Sequence, residues 1–343
     1  MTDSAYAVAI FGSTLFARLL AGLLARDHGK RVLLVSRDLS PLRLPRVVDA
    51  AFSTATRPET WRQMRAGEAE TLRLLRALHM SDAIRRVDVR LEADRAETAA
   101  ALDHVAHLAM GYGLSGQSLG SAHVFRNIAM LRAPALVPKL KVWLTTLGVT
   151  QVDWGEVGVA FGRGGAAEIS LKGDRVATEH IVLADDAALL DRLPESQRPA
   201  SIAVQGMTAT LTAPVRKLPA PLMRYPDRGV TLRQRKDGGV LALVEGDDEV
   251  EARLASALPG PFPLARLATS RFHRVVSIDG APITGRVRPS KLQIVVGLGD
   301  ASAFHAPAAA RALVGAATIE EKRWFAARDP SRPDRSAIRE ISP

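Results

Sequence analysis

Residues 274–285 read Arg274-Val-Val-Ser-Ile-Asp279-Gly280-Ala281-Pro282-Ile283-Thr284-Gly285, and residues 292–307 read Leu292-Gln-Ile-Val-Val-Gly297-Leu-Gly299-Asp300-Ala301-Ser302-Ala-Phe-His305-Ala-Pro307. The second stretch opens as an apolar strand, Leu292 to Val296, and turns at Gly297 to Gly299. An alanine-rich helix then runs from Pro307 to Thr318, with proline at its first position where the missing N–H costs nothing. The far end of the chain is therefore written in strand, turn, helix chemistry.

The near end repeats that chemistry. Ala7 to Phe11 reads as a strand, Gly12 to Ala17 as a turn entering a helix with an apolar face through Leu19, Leu20, Leu23 and Leu24, and Arg31 to Val35 as a second strand. In a βαβ unit the helix N-terminus offers free N–H groups and the positive end of its dipole to a pyrophosphate. The glycine fingerprint of such sites appears here as Gly12, Thr14 and Ala17, with Ala21 beyond. An ordinary βαβ unit with one glycine at its turn fits the same residues. At the end of the second strand, where an acid would hold the ribose, stand Ser36 and Arg37, a pair that equally suits the 2′-phosphate of NADP or plain solvent exposure.

Taken in order and spacing, Arg274 to Gly285 resembles the R-x-x-x-x-D-G-x-P-x-x-G segment of D-amino-acid-oxidase-like flavoenzymes, which include glycine and sarcosine oxidases. The strand, glycine turn and proline-started helix of Ile294 to Pro307 are similar to the next segment of that family. Leu131 to Val149 looks like the family's helix leading into G-V, and Glu179 to Ala188 like its V-V-A-x-G-x-W strand. The resemblance implies an α/β fold: a Rossmann-like FAD-binding domain assembled from both chain ends (1–80 with 140–200 and 270–328), plus a mainly antiparallel substrate domain (81–139 with 201–269). Residues 329–343 are expected as a loosely held tail.

Carried over position by position, the resemblance implies that Arg274 pairs with a substrate carboxylate and that Thr231 faces the substrate. It assigns FAD to Gly12, Ser13, Thr14, Leu15, Ala17, Ser36, Arg37, Val157, Ala184, and the run Gly297, Gly299, Asp300, Ala301 and Ser302. A structural ion pair, with Asp279 as partner, is the other reading of Arg274. Several departures stand out: Thr14, Ala17, Ser36, Asp186 where the family has a glycine, and Ser302 at a later turn glycine. Asp186 and Asp300 would oppose an anionic cofactor unless arginines compensate.

The middle of the chain reads as a loop from Pro41 to Thr60, a helix from Trp61 to His79, charged and weakly patterned sequence from Arg90 to Thr98, a helix from Ala99 to Gly111, and a flexible surface or active-site loop from Gly111 to Gly120. A helix is expected at Pro138 to Leu147. Strands are expected near 157–161, 167–171, 201–211, 229–235 and 239–245, with a helix at 248–258.

Composition narrows the chemistry. The 343 residues include no cysteine, which excludes disulfides, thiolate catalysis and flavin attachment through cysteine. A net charge of +10 steers the chain toward anions. With 5% aromatics and no basic run interleaved with them, nucleic-acid binding is not expected. The apolar stretch Leu15 to Leu24 carries Arg18 and falls short of the roughly 20 residues of a membrane span. Neither an export signal nor a metal motif is apparent, and His104 and His107 read as a structural pair, so a cytoplasmic protein is expected. The leading functional expectation is FAD-dependent oxidation of a C–N bond in a small amine or amino acid. A non-catalytic or accessory subunit, with an acidic protein partner or as a homo-oligomer, and an NADP(H)-binding reductase stand as alternatives.

Overall fold

The computed structural model describes residues 6–37, 43–161, 167–246, 249–258, 264–288 and 292–332. In chain order its first half comprises β1 (Tyr6–Phe11), α1 (Leu15–His28), β2 (Val32–Ser36), α2 (Pro58–Ala77), β3 (Ile84–Glu92), α3 (Ala96–Gly111), β4 (Gly116–Leu119), β5 (Ala122–Leu131), α4 (Ala133–Thr146), β6 (Thr150–Asp153), β7 (Val157–Phe161), β8 (Ala167–Leu171) and β9 (Asp174–Val176). The second half comprises β10 (Thr178–Leu183), α5 (Asp186–Arg192), β11 (Ile202–Thr212), β12 (Leu222–Tyr225), β13 (Val230–Gln234), β14 (Val240–Glu245), α6 (Val250–Ala257), β15 (Arg266–Ser277), β16 (Ile283–Arg286), β17 (Leu292–Val296), α7 (Ala306–Leu313) and α8 (Ile319–Ala326).

Two large sheets organise the molecule. The first has the order β16-β17-β10-β1-β2-β6 and is parallel except for the edge strand β16. Its central strands are continuous apolar runs such as YAVAIF and VLLVS, buried on both faces as parallel strands between helices must be. Helix α1 is buried from Leu15 to Leu24 and lies in one apolar layer with α4 and α7, where Trp143 packs against Gly22. It ends at Gly29, whose positive φ of 60° caps the last turn.

The second sheet has the order β15-β11-β14-β13-β12-β3-β5-β4 and is antiparallel except where β12 meets β3. One face holds Phe272, Met207, Leu243 and Val89 against α2 and α3, and the other is closed by α6. A small antiparallel meander, β7-β8-β9, completes the fold. The parallel sheet drawn from both chain ends and the mainly antiparallel second sheet are the expected α/β architecture.

Three local expectations need correcting. The segment before Asp94 is a full strand, β3, whose outward charges in I-R-R-V-D-V-R-L-E mask the alternation of Val87, Val89 and Leu91, with a register shift between Val87 and Val89. The Gly111–Gly120 segment is in part an edge strand, β4, paired along β5, and none of it lines the cavity described below. The start of the expected loose tail is held down: Arg332 donates to Asp279 at 2.6 Å. The rest of that tail, 333–343, the N-terminal residues 1–5, and Asp248 in the expected helix 248–258 lie outside the described residues.

Candidate functional site

The β1–α1 turn is tightly built. A Cβ on Gly12 would come 2.7 Å from the Cβ of Ala17, so the helix rests directly on a side-chain-free strand end. Thr14 caps α1 by accepting the Ala17 N–H at 3.4 Å, and the Ser13 hydroxyl accepts the Arg37 N–H at 2.9 Å. The Ser13 N–H itself donates to Oδ2 of Asp185 at 2.7 Å. The other oxygen of Asp185 accepts the Ala188 N–H at 2.8 Å and so caps α5. A backbone donor at the entrance to the α1 N-terminus is thus engaged by the chain's own carboxylate, which is 9% exposed. Burial raises its pKa, against the opposing pull of those N–H groups and of Arg37.

Asp186 points elsewhere. Its two oxygens accept the Val275 N–H at 3.0 Å and the Gly297 N–H at 3.1 Å, tying β15 to the turn after β17. Burial pushes its pKa up to about 6 although both hydrogen bonds favour the charged form. Gly297 and Gly299 take φ of 67° and 58°, a region that favours glycine, which explains the G-L-G of the turn. Asp300 follows, accepting the Val48 N–H at 2.9 Å and forming an ion pair with Arg224, the compensation its charge requires.

Between this turn and the second sheet lies a cavity of about 550 Å³. Thr231, Leu243, Phe272 and Arg274 face it from β13, β14 and β15, and Arg224 from β12. Arg224 is only 4% exposed; one Nη serves Asp300, while Nε and the other Nη have no partner among the described residues. Beside it, Arg46 lies over the Phe272 ring at 5.2 Å. Asp49 also lines the cavity, and burial, with Asp300 nearby, pushes its pKa up to about 7 against the pull of Arg233. Arg274 is already engaged: it donates to Gln205 at 2.9 and 3.2 Å and to Glu245 at 2.9 Å. Its ion-pair partner is Glu245, not Asp279, which takes Arg332 and Arg57 instead.

The structure gathers Ser13, Thr14, Leu15, Arg37, Ala184, Thr231, Arg274, Gly297, Gly299, Asp300 and Ser302 around this one cavity. Gly12, Ala17, Ser36, Val157 and Ala301 do not line it; Val157 is buried in the core beside Trp154. Arg37 stacks over Trp154 at 5.0 Å and pairs with Asp191 at 3.3 Å. His305 stacks on Trp324 at 5.3 Å, and burial drives its pKa down to about 3, leaving a neutral core histidine. Sequence reasoning missed Asp185 and Arg224. The signal for Arg224 was a single charge in the otherwise apolar strand L-M-R-Y, and for Asp185 an acid directly after an apolar strand, where it can cap the next helix.

No protein-family model matches the chain, and no curated protein matches it in sequence. Solved structures do match in fold. L-proline dehydrogenase from P. horikoshii superposes with a TM-score of 0.73 at 14% identity, over 98% of this chain and 100% of that one. L-amino acid deaminase from Proteus myxofaciens, in complex with anthranilate, gives 0.70 at 13% identity over 94% and 93%. Glycine oxidase from Geobacillus kaustophilus gives 0.66 at 16% identity over 93% and 95%. The chain shares the fold of these amino-acid oxidoreductases along almost its whole length.

Proposed function

We propose that this chain is an FAD-dependent oxidoreductase acting on the C–N bond of a small amino acid or amine. The observation that carries the reading is the cavity itself: it runs from the α1 N-terminus and the Gly297–Ser302 turn to the face of the second sheet. The fold it sits in is shared with a proline dehydrogenase, an amino acid deaminase and a glycine oxidase.

The residues fit a flavin dinucleotide, with one condition. At the ring end, Phe272, Leu243, Met207 and Leu298 supply apolar walls, and Gly297 and Gly299 bring bare backbone to the surface. At the phosphate end, the β1–α1 turn with Arg37 and Arg43 supplies donors and positive charge, provided that Asp185 yields its place. A bound flavin supplies the acceptor for a hydride leaving the substrate carbon. The chain's own part is to bind and orient. Arg224, buried with two nitrogens that have no partner among the described residues, is the group suited to the substrate carboxylate; the apolar sheet face excludes water around it. Arg274 lines the cavity wall, held there by Gln205 and by its ion pair with Glu245. Thr231 offers a hydroxyl on the same face, directly across from Arg224 in the strand register.

Among the described residues no helix is long and apolar enough to cross a membrane. The reading places the enzyme in the cytoplasm, with the parallel sheet as cofactor domain and the antiparallel sheet as substrate domain. The test is an absorbance spectrum of the purified protein, fresh and after incubation with FAD at mildly acidic pH. Flavin bands that bleach anaerobically with an amino acid are the expected result. A colourless protein that takes up no FAD overturns it and favours the second reading, a non-catalytic subunit of an oxidoreductase complex or homo-oligomer, for which the engaged α1 N-terminus is the specific observation. Within the leading reading, Arg224→Met weakens binding of the probe carboxylate anthranilate at least about tenfold, the loss expected when a buried charge-assisted contact goes.

A further inference from the structure

We propose that Asp185 is a built-in competitor for the phosphate end of the cofactor: its carboxylate occupies the α1 N-terminus and must take up a proton or swing away before a dinucleotide pyrophosphate can bind there. The inference rests on the flavin reading above and names the residue that controls it.

The geometry is that of an occupied anion site. A bound pyrophosphate in a βαβ unit takes the N–H groups at the start of the helix. In this chain the Ser13 N–H, at the entrance to α1, already meets Asp185 at 2.7 Å, and the Ala17 N–H in the first turn of the helix is held by the Thr14 hydroxyl. The carboxylate has a second anchor, the Ala188 N–H at 2.8 Å, so it belongs to the α5 cap as much as to the α1 terminus. Its position is set by two elements at once.

A second anion brought to the same donors would meet this one at close range, in a site where water screens little. The charged groups facing Asp185 are Arg37 and Arg43 after β2, and Asp186 on its own helix. The two arginines accommodate one extra negative charge more readily than the two or more of a pyrophosphate. Burial already favours the protonated carboxyl of Asp185. Proton uptake leaves an acid that no longer opposes the phosphates, so FAD affinity rises as pH falls.

The test is a titration of the apo-protein with FAD, followed by quenching of flavin fluorescence across the range from mildly acidic to mildly alkaline. Asp185→Asn keeps an oxygen for the α5 cap and removes the charge; Asp185→Ser is a second neutral cap, used should the first variant fold poorly. The neutral variants are expected to bind FAD at least about tenfold tighter than the natural chain at alkaline pH, with the pH dependence flattened. A readout independent of FAD is the amide resonance of Ser13 in the apo-protein, which titrates in the natural chain and is pH-independent in Asp185→Asn. Equal or weaker FAD binding by both neutral variants overturns the proposal while leaving the flavin reading in place. If the natural chain and both variants all fail to bind FAD at every pH, the flavin reading falls, and the proposal with it.

Discussion

Gly12 and Ala17 make a quantitative test of how the nucleotide-type turn is packed. The ideal Cβ of Gly12→Ala lies 2.7 Å from the Ala17 Cβ, 3.4 Å from the Ala184 Cβ and 3.2 Å from Asp185 Oδ2. Carbon atoms settle at about 3.5–4.0 Å, so the pair falls short by roughly 0.8 Å or more, and the helix or the strand must shift. Overpacking of this kind costs about 1–3 kcal/mol. For 343 residues at about 2.1 cal/mol/K each, a loss near 2 kcal/mol lowers Tm by about 3 °C. Ala17→Gly alone costs about 1 kcal/mol, because a helical glycine loses backbone entropy. The double variant removes the clash, so its loss should be about 1–2 kcal/mol smaller than the sum of the single losses. Calorimetry of the four proteins provides the double-mutant cycle. Additivity to within about 0.5 kcal/mol refutes the claim that Ala17 is what holds position 12 to glycine.

Three further outcomes concern buried or crowded positions. Gly67→Ala in α2 drives a Cβ into the Phe304 carbonyl and should destabilise, whereas Gly111→Ala at the end of α3 meets open space and should be neutral or slightly stabilising; equal Tm shifts of the same sign would contradict the packing. Asp49 has its pKa raised to about 7, so its stabilisation is complete below the ordinary carboxylate range near pH 4 and is lost as pH rises to about 7; Asp49→Asn should flatten Tm against pH in that window, and an unchanged slope speaks against it. Burial would raise the Asp279 carboxyl, but hydrogen bonds from Arg332 and Ser277 outweigh it and bring its pKa to about 2. That stabilisation is present above the ordinary range and lost as pH falls through about 2, so Arg332→Ala should cost about 2–3 kcal/mol at neutral pH, with Arg57 still in place, and little at pH 2 by urea unfolding.

The parallel sheet was legible because its strands announce themselves twice: YAVAIF and LQIVV are apolar without interruption, and each is followed by a glycine turn and a helix. The second sheet was legible only where one face is solvated. β3 hid behind its charges, and β12, only four residues long, carries an arginine where an apolar residue is the rule for a buried strand. For the candidate site, the family resemblance named the Gly297–Ser302 turn, Thr231 and Arg274, and Gly297, Gly299, Asp300, Ser302, Thr231 and Arg274 line the cavity. It did not name Asp185 or Arg224. Their roles depend on partners far away in the chain: Ser13, 172 positions from Asp185, and Asp300, 76 from Arg224. No local pattern encodes such a pairing.

The acids around the cavity share one physical logic. Asp185 takes the N–H groups of Ser13 and Ala188, Asp186 those of Val275 and Gly297, and Asp300 that of Val48. Each satisfies backbone donors that would otherwise be left open in a buried cleft, where an unmet donor costs about 1–3 kcal/mol. Each also has an arginine in its field: Arg37 for Asp185, Arg274 for Asp186 and Arg224 for Asp300. Internal carboxylates thus hold these backbone donors of the cleft without an external anion. The replaced glycines of the βαβ turn therefore need not be damage to a nucleotide site. They are compatible with a chain that folds fully in its apo form and admits a cofactor by exchange, one anion for another, at the α1 N-terminus.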